Sequence, residues 1–266
     1  MSNTKLNNFL LCDELPLWSA PFGLVLLEII RLRKHINILD IGSGAGFPML
    51  EIAERAGKTC SVYGIDPSPD SILLITEKIK LKKIKNASIL GCCAEDLPFP
   101  ENNFGLVANN GLNNVRDEKR VLSECYRVMD KGAQMVLTMN LPDTFFEFYD
   151  VFEAVLKRKG QEEELTRMKE HIFAKRKPVE YWKKVILAAG FRIRSINIAE
   201  FKLSFLNGTA FLNHSFIRTA FLGPWEAITS DPEIFDAIQA TLNYQAGKRG
   251  QLTMTVPYVC MDCFKD

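Results

Sequence analysis

Ile38-Leu39-Asp40-Ile41-Gly42-Ser43-Gly44-Ala45-Gly46-Phe47-Pro48 decides how the first half of this chain is read. A short apolar run carrying one carboxylate predicts a buried strand, and three glycines at alternate positions end it. Such glycines let a backbone turn sharply and approach a ligand without side-chain obstruction. The dinucleotide fingerprint Gly-x-Gly-x-x-Gly fails here, because its third glycine falls on Phe47. No Gly-Lys-Ser/Thr follows, which excludes a nucleoside triphosphate loop.

Working outward, short apolar runs alternate with amphipathic stretches. Phe47 to Arg55 reads as a helix, Ser61 to Ile65 as a strand, Ser71 to Leu81 as a helix and Ala87 to Leu90 as a strand. Leu106 to Ala108 and Ala133 to Met139 are two more strands around a helix at Glu118 to Val128. This is the pattern of a parallel sheet with crossover helices. Helical spacing of Phe145, Tyr149, Phe152 and Leu156 follows, then a helix from Pro178 to Ala189 and strands at Phe191 to Ile198 and Leu252 to Cys260. The long stretch between those last strands exceeds what a hairpin needs, so it is expected to be a lid or binding element.

The second informative group is Gly64-Ile65-Asp66, at the end of the next strand and twenty residues beyond Gly46. A carboxylate there can accept hydrogen bonds from both ribose hydroxyls of an adenosine ligand. Alternatively, Asp66-Pro67-Ser68 simply starts the next helix.

Asp40-x-Gly42-x-Gly44-x-Gly46 resembles the first motif of class I S-adenosylmethionine-dependent methyltransferases, and Asp66 resembles their ribose-binding acid. Ala94-Glu95-Asp96-Leu97-Pro98-Phe99-Pro100-Glu101-Asn102-Asn103-Phe104 is similar to the ubiquinone/menaquinone-biosynthesis-like (type 11) branch. So is Glu124-Cys125-Tyr126-Arg127-Val128-Met129. The resemblance spans about residues 37 to 140. It implies an α/β fold: a Rossmann-like, doubly wound, seven-stranded sheet, mostly parallel with the last strand antiparallel, carrying helical cap insertions. It also implies S-adenosylmethionine as cofactor and S-adenosylhomocysteine as product. The residues it places at the cofactor are Asp40, Gly42, Ser43, Gly44, Asp66, Pro67, Cys93, Ala94, Glu95 and Asn109. Three positions depart from the pattern. Cys93 stands where the family has an adenine-binding Asp, Phe104-Gly105 replaces Phe-Asp, and Asp130-Lys131-Gly132-Ala133 replaces the Lys-Pro-Gly-Gly turn.

Four segments are expected: 1–36, a helical segment over the cofactor site; 37–140, the cofactor-binding core; 141–190, a helical cap; and 191–266, the last two strands with a helical lid inserted at about 206–250. In Leu15-Pro16-Leu17-Trp18-Ser19-Ala20-Pro21-Phe22, two prolines and a central Trp argue against free disorder, so Trp18 is expected near the methionine end or the acceptor. Sealing of the core by Trp18 is the alternative. Asn109 and Asn110 fall where the family's cofactor meets its acceptor, although Asn and Gly also make ordinary polar turns.

Residues 141 to 222 hold eleven of the eighteen phenylalanines. Most of these rings are expected in a core, with some lining an apolar acceptor pocket. Weak catalytic candidates are Asn110 and His214, the only histidine in the inserted segment. A histidine could take a proton from an acceptor, or be merely structural. Displacement at a sulfonium depends more on alignment than on a strong base.

Composition excludes several classes. With 33 basic and 32 acidic side chains, the net charge of +1 gives no reason to expect nucleic acid or an anionic membrane as partner. No run approaches the roughly 18 consecutive apolar residues of a membrane span. Phe22 to Ile30 is broken by Glu28, so no signal peptide is read and a cytoplasmic protein is expected. Seven cysteines at irregular spacing suggest reduced thiols. Cys260-Met261-Asp262-Cys263 has no second pair to complete a metal site, so no metal is expected.

The expected function is methyl transfer to a small, largely apolar acceptor, quinone-like or lipid-like, with the oligomeric state left open. Two rivals stand beside it. One is an arsenite-type methyltransferase using Cys92, Cys93, Cys260 or Cys263 as thiolates. The other is a non-catalytic, S-adenosylmethionine-binding scaffold or regulatory protein, motivated by Cys93, Gly105 and Ala133.

Overall fold

β1 (Asn37–Ile41), the strand that opens the sequence reading, lies third in a seven-stranded sheet of order β3-β2-β1-β4-β5-β7-β6. The computed structural model describes residues 16–266. Leu15 and the rest of the expected 1–36 segment before it lie outside the described residues. The other strands are β2 (Ser61–Ile65), β3 (Ala87–Leu90), β4 (Phe104–Asn110), β5 (Met129–Asn140), β6 (Arg192–Phe205) and β7 (Leu252–Phe264). β1 pairs in parallel with β2 and β4, as do β2 with β3 and β4 with β5. The sheet is mostly parallel with one antiparallel end. There Gly132 N–H bonds Lys265 O at 2.7 Å and Lys265 N–H bonds Ala133 O at 3.1 Å, joining β5 to β7.

Strand order reverses between β1 and β4, because the chain winds outward to β3 and then returns to the far side of β1. In such sheets the carboxyl ends at the reversal leave a crevice for a ligand.

Helix ends follow their capping residues. α1 (Pro16–Ile29) precedes β1, and α2 (Met49–Ala56) follows the glycine loop. α3 (Pro69–Lys82) starts on Ser68, whose hydroxyl accepts the Ser71 N–H, with Pro69 in the first turn; it ends on Lys83 at φ 56°. α4 (Glu118–Val128) starts on Asp117, whose carboxylate accepts the N–H groups of Lys119 and Arg120.

The chain divides into two units. Unit 1 comprises the residues up to Met139 with Pro178–Ile198 and Tyr258–Asp266. It holds α7 (Val179–Ala188) and a core in which Leu26, Ile38, Met49, Ile52, Val62, Leu106 and Val136 are buried. Unit 2 comprises Asn140–Lys177 and Ala199–Pro257. It contains α5 (Phe146–Arg158), α6 (Glu162–Lys175), α8 (Gly208–Asn213) and α9 (Glu233–Arg249). Its core is aromatic: Phe145, Phe148, Phe152, Phe211 and Trp225 are fully buried, with Phe148 stacked on Trp225 at 4.1 Å. Phe146 and Phe173 are exposed.

Two details differ from the sequence reading. Asp130 to Ala133 is no turn but the start of β5, which begins directly after α4. The helix α6 lies within the stretch 141–190 expected to be helical, but its bounds are not legible in the pattern, because only Leu165 and Met168 are buried on it and its apolar stripe is thin. Among the described residues no helix is long and apolar enough to cross a membrane.

Candidate active site

The glycine loop is pinned to the end of β2. Gly42 and Ser43 both donate their N–H to Ile65 O, at 2.9 and 3.0 Å, and Gly46 N–H closes back on Ser43 O at 2.7 Å. This folding requires positive φ at Gly42 (73°) and Gly44 (52°), a region that costs other residues energy. Asp66 then ties the turn together. Its Oδ2 accepts the Gly44 N–H and its Oδ1 accepts the Ser68 N–H, each at 2.9 Å.

Beside this turn lies a cavity of about 350 Å³. Gly42, Asp66, Pro67, Cys93, Ala94, Glu95, Asn109 and Asn110 all line it. These eight residues, with Cys92 of the thiolate alternative, therefore converge on one concavity. Asp40, Ser43 and Gly44 do not line it. The Ser43 side chain turns inward and donates to Asp40 O at 3.3 Å. The sequence reading gave no site role to Ile41, Ile65, Val115 and Arg116, which also line the cavity. Glu95 Oε1 accepts the N–H of Arg116 at 2.9 Å and of Asp117 at 3.3 Å, which ties this part of the wall to Glu95.

Two buried acceptors at the strand ends lack partners: Asp40 Oδ2 on β1 and Asn109 Oδ1 on β4. The register pairs Asp40 with Ala108 and Ile41 with Asn109, so the two side chains leave neighbouring strands toward opposite faces. Burial, with the Asp66 charge adding to it, pushes the Asp40 carboxyl up to about 7 against the pull of a Ser43 hydrogen bond. A buried acceptor without a donor is costly, and Asn109, which lines the cavity, suits a ligand that brings donors or positive charge.

The quoted helix motif turns out to be a clamp. Glu124 Oε2 accepts the Leu97 N–H at 2.9 Å, and Arg127 pairs with both Glu124 oxygens at 2.9 and 2.8 Å. Arg127 also donates to the carbonyls of Phe99 (2.8 Å) and Leu97 (3.0 Å). The pair thus fixes the chain just after the Cys93–Glu95 wall. Hydrogen bonds from Arg127, helped by the Leu97 N–H, hold the Glu124 carboxyl below its usual range.

Asn110 is fully engaged: its Nδ2 donates to Ser19 O at 3.3 Å and its Oδ1 accepts from Thr138 Oγ1 at 3.0 Å. It thereby braces the start of α1 against the end of β4. Trp18, one residue before Ser19, packs on Phe22 at 5.6 Å, and Phe22 packs on Tyr258 at 5.3 Å. His214 is exposed in unit 2, with its ring 5.6 Å from that of Phe205. Among the thiols, Cys92 and Cys93 line the cavity. Cys260 and Cys263 are buried on β7, three positions apart and so on opposite faces, and burial pushes both up to about 12. No three His, Cys, Asp or Glu side chains among the described residues converge to hold a metal ion.

Residues 32–185 match the family described as "Methyltransferase domain", which is more than half of the chain. The chain belongs to this methyltransferase family. The match agrees with the class I, S-adenosylmethionine-dependent resemblance carried by Asp40 to Gly46 and Asp66. The demethylmenaquinone methyltransferase of Listeria welshimeri is 34% identical over 110 residues, covering 41% of this chain and 47% of that protein. The enzyme of that name from a Geobacillus species is 30% identical over 127 residues, covering 47% and 54%. The chain thus spans about half the length of the curated relatives it matches. In fold it is similar to geranyl diphosphate C-methyltransferase from Streptomyces coelicolor, with a TM-score of 0.57, 14% identity, and 93% and 80% of the two chains covered.

Within this methyltransferase two of the departures from the family pattern have local causes. A Cβ at position 105 would meet Ile36 at 2.8 Å, so Gly105 makes room for the residue leading into β1. Ala133 is fully buried in β5. Neither change touches the cavity.

Proposed function

We propose that the chain transfers a methyl group from S-adenosylmethionine to a small, largely apolar acceptor, with a quinone-like ring the favoured class. The observation that carries this reading is the cavity that Asp66, Cys93, Ala94, Glu95 and Asn109 line together, with the buried Asn109 Oδ1 left unpartnered. A cationic amino-acid end suits Asn109 Oδ1, with the Asp40 carboxyl of the neighbouring strand adding its charge, and ribose hydroxyls suit the Asp66 carboxylate. Bound there, S-adenosylmethionine supplies an electrophilic methyl on a sulfonium.

The chain's own residues have simpler tasks. Asp66 accepts the ribose hydroxyls with lone pairs left over from Gly44 and Ser68. Backbone groups around Cys93 to Glu95 meet the adenine, since a thiol is a poor acceptor. Asn110 positions α1, bringing Trp18 toward the methionine end. With its side chain already bonded, Asn110 is a positioning residue rather than a base. The quinone class rests on the names of the curated relatives.

The thiolate rival has little physical support. Its four cysteines divide between the cavity and the buried β7, where deprotonation is strongly disfavoured. The scaffold rival loses two of its three motives to the packing of Gly105 and Ala133. Titration of S-adenosylmethionine, followed by turnover on a panel of demethylated quinols, phenols and amines, tests the reading. Tight cofactor binding with no acceptor methylated would favour the scaffold. Absence of cofactor binding would sink the whole proposal.

A further inference from the structure

Unit 2 contains a cluster of hydrogen-bond donors with almost nothing to donate to. Arg176, immediately after α6, is only 3% exposed, yet it forms no ion pair among the described residues. Its Nη1 donates to Tyr149 Oη at 3.1 Å, and its Nε has no partner. The same phenol oxygen also receives the Trp225 Nε1–H at 2.8 Å. Neither nitrogen has a lone pair, so both must be donors and the tyrosine oxygen must accept twice. The Tyr149 proton must then point elsewhere, and no acceptor for it is found among the described residues. One oxygen therefore serves a guanidinium, an indole and its own phenol proton.

Charge shows the same imbalance. The guanidinium carbon lies 5.6 Å from the Tyr149 ring centre and 5.7 Å from that of Phe221, so aromatic faces provide its closest compensation. The C-terminal end of α6 adds partial negative charge but no acceptor for Nε. His171, on α6, is pushed down to about 4 by burial and by the charges of Arg176 and Lys175. A buried cation without a counter-ion is normally a strong liability, and unsatisfied buried donors call for an explanation.

The surroundings decide what kind of acceptor fits. Phe145, Phe148 and Phe211 are fully buried beside Trp225, within the same aromatic core. Phe221, half-buried, belongs to a π-helical coil at Arg218–Leu222, a form found in short pieces and often at functional sites.

We propose that Arg176, Tyr149 and Trp225 form a head-group site for an oxyanion carried on an apolar body, a carboxylate or a phosphate monoester. The anion accepts from the guanidinium edge and from the Tyr149 hydroxyl, while its body lies against the half-buried Phe221 ring. This inference stands on unit 2 alone and does not depend on methyl transfer.

The test is calorimetric titration of the whole chain, without S-adenosylmethionine, with decanoate, decyl phosphate, 1-decanol and inorganic phosphate, each below its micelle concentration. One or both tailed anions should bind at least tenfold tighter than decanol and than inorganic phosphate, and their ranking identifies the head group. Arg176→Gln should reduce tailed-anion binding to the level of the alcohol, while Arg176→Lys should retain part of the preference. Should Arg176→Gln fail to fold, the thermal shift of the parent decides: the anions must raise its melting temperature more than decanol does. Equal affinity for decanol and the anions, or undiminished anion binding by folded Arg176→Gln, would overturn the proposal and leave internal water as the missing acceptor.

Discussion

Asp66 Oδ2 holds the Gly44 backbone N–H at 2.9 Å, across twenty-two positions of sequence. One carboxylate therefore shapes the glycine turn and, through Ser68, the start of α3. Two roles follow for the residue, ligand binding and loop bracing, and a substitution has to separate them.

Asp66→Ala removes both. It should weaken S-adenosylmethionine binding by about ten- to a thousandfold, and releasing two N–H groups should cost about 1–3 kcal/mol of stability. Asp66→Asn retains one acceptor oxygen, so its stability loss should be smaller while binding still falls at least several-fold. Calorimetric titration with circular dichroism as folding control measures each effect. Parent-like affinity in Asp66→Ala would remove the ribose assignment.

Gly23 gives a prediction of unexpected sign. It lies inside α1, where glycine is worse than alanine by about 1 kcal/mol in an open helix. Here a Cβ would clash with the Phe47 ring, at the exit of the glycine loop. Overpacking costs about 1–3 kcal/mol and should win. Gly23→Ala should therefore lower the urea midpoint and weaken cofactor binding by displacing Phe47. A higher midpoint would mean that the ring yields without cost.

How far the sequence discloses this structure depends on how far apart the partners lie. β1, the glycine loop, Asp66 and α4 are legible because each rests on local signals: an apolar run, closely spaced glycines, a carboxylate at a strand end, a helical pattern. The roles of Glu124 and Arg127 are not, although both belong to a quoted motif. Their partners at Leu97 and Phe99 come from a distant loop. Asn110 likewise reads as a residue for the ligand until Ser19 and Thr138 are seen to occupy its side chain. Arg176 is the extreme case. A basic residue after a helix looks solvated, and only the packing of Tyr149 and Trp225 buries it.

The Glu124–Arg127 clamp should matter for stability more than for chemistry. Glu124→Ala strands the Leu97 N–H and leaves Arg127 without its carboxylate, a loss of about 2–4 kcal/mol. The carboxyl sits below its usual range when folded, so its stabilisation is full above the unfolded value of about 4.5 and fades as pH falls through the folded value. Urea unfolding of parent and Glu124→Gln at pH 7 and pH 3 should show the difference between them shrinking in acid. A difference independent of pH would mean that packing, not ionisation, is what Glu124 contributes.

Asp40 should behave in the opposite sense. Its carboxyl rises from 3.8 to about 7 on folding, chiefly through burial. The folded state therefore holds a proton that the unfolded state releases between those values. The stability linked to this proton is full below about 4 and is lost as pH climbs toward 7. Asp40→Asn has no proton to lose, so the free variant should be more stable than the parent at pH 8 by of order 1–4 kcal/mol, with a smaller gap at pH 5. Ligand binding should run the other way. A cationic ligand beside Asp40 favours the charged carboxylate, so S-adenosylmethionine should bind the parent more tightly as pH rises from 6 to 8, with proton release near pH 7. In Asp40→Asn that carboxylate-linked release should vanish and affinity should fall at least tenfold. Titrations in buffers of different ionisation enthalpy count the protons. Equal proton release by parent and variant would place the titrating group elsewhere, and Asp40 would then be a structural acid without a part in binding.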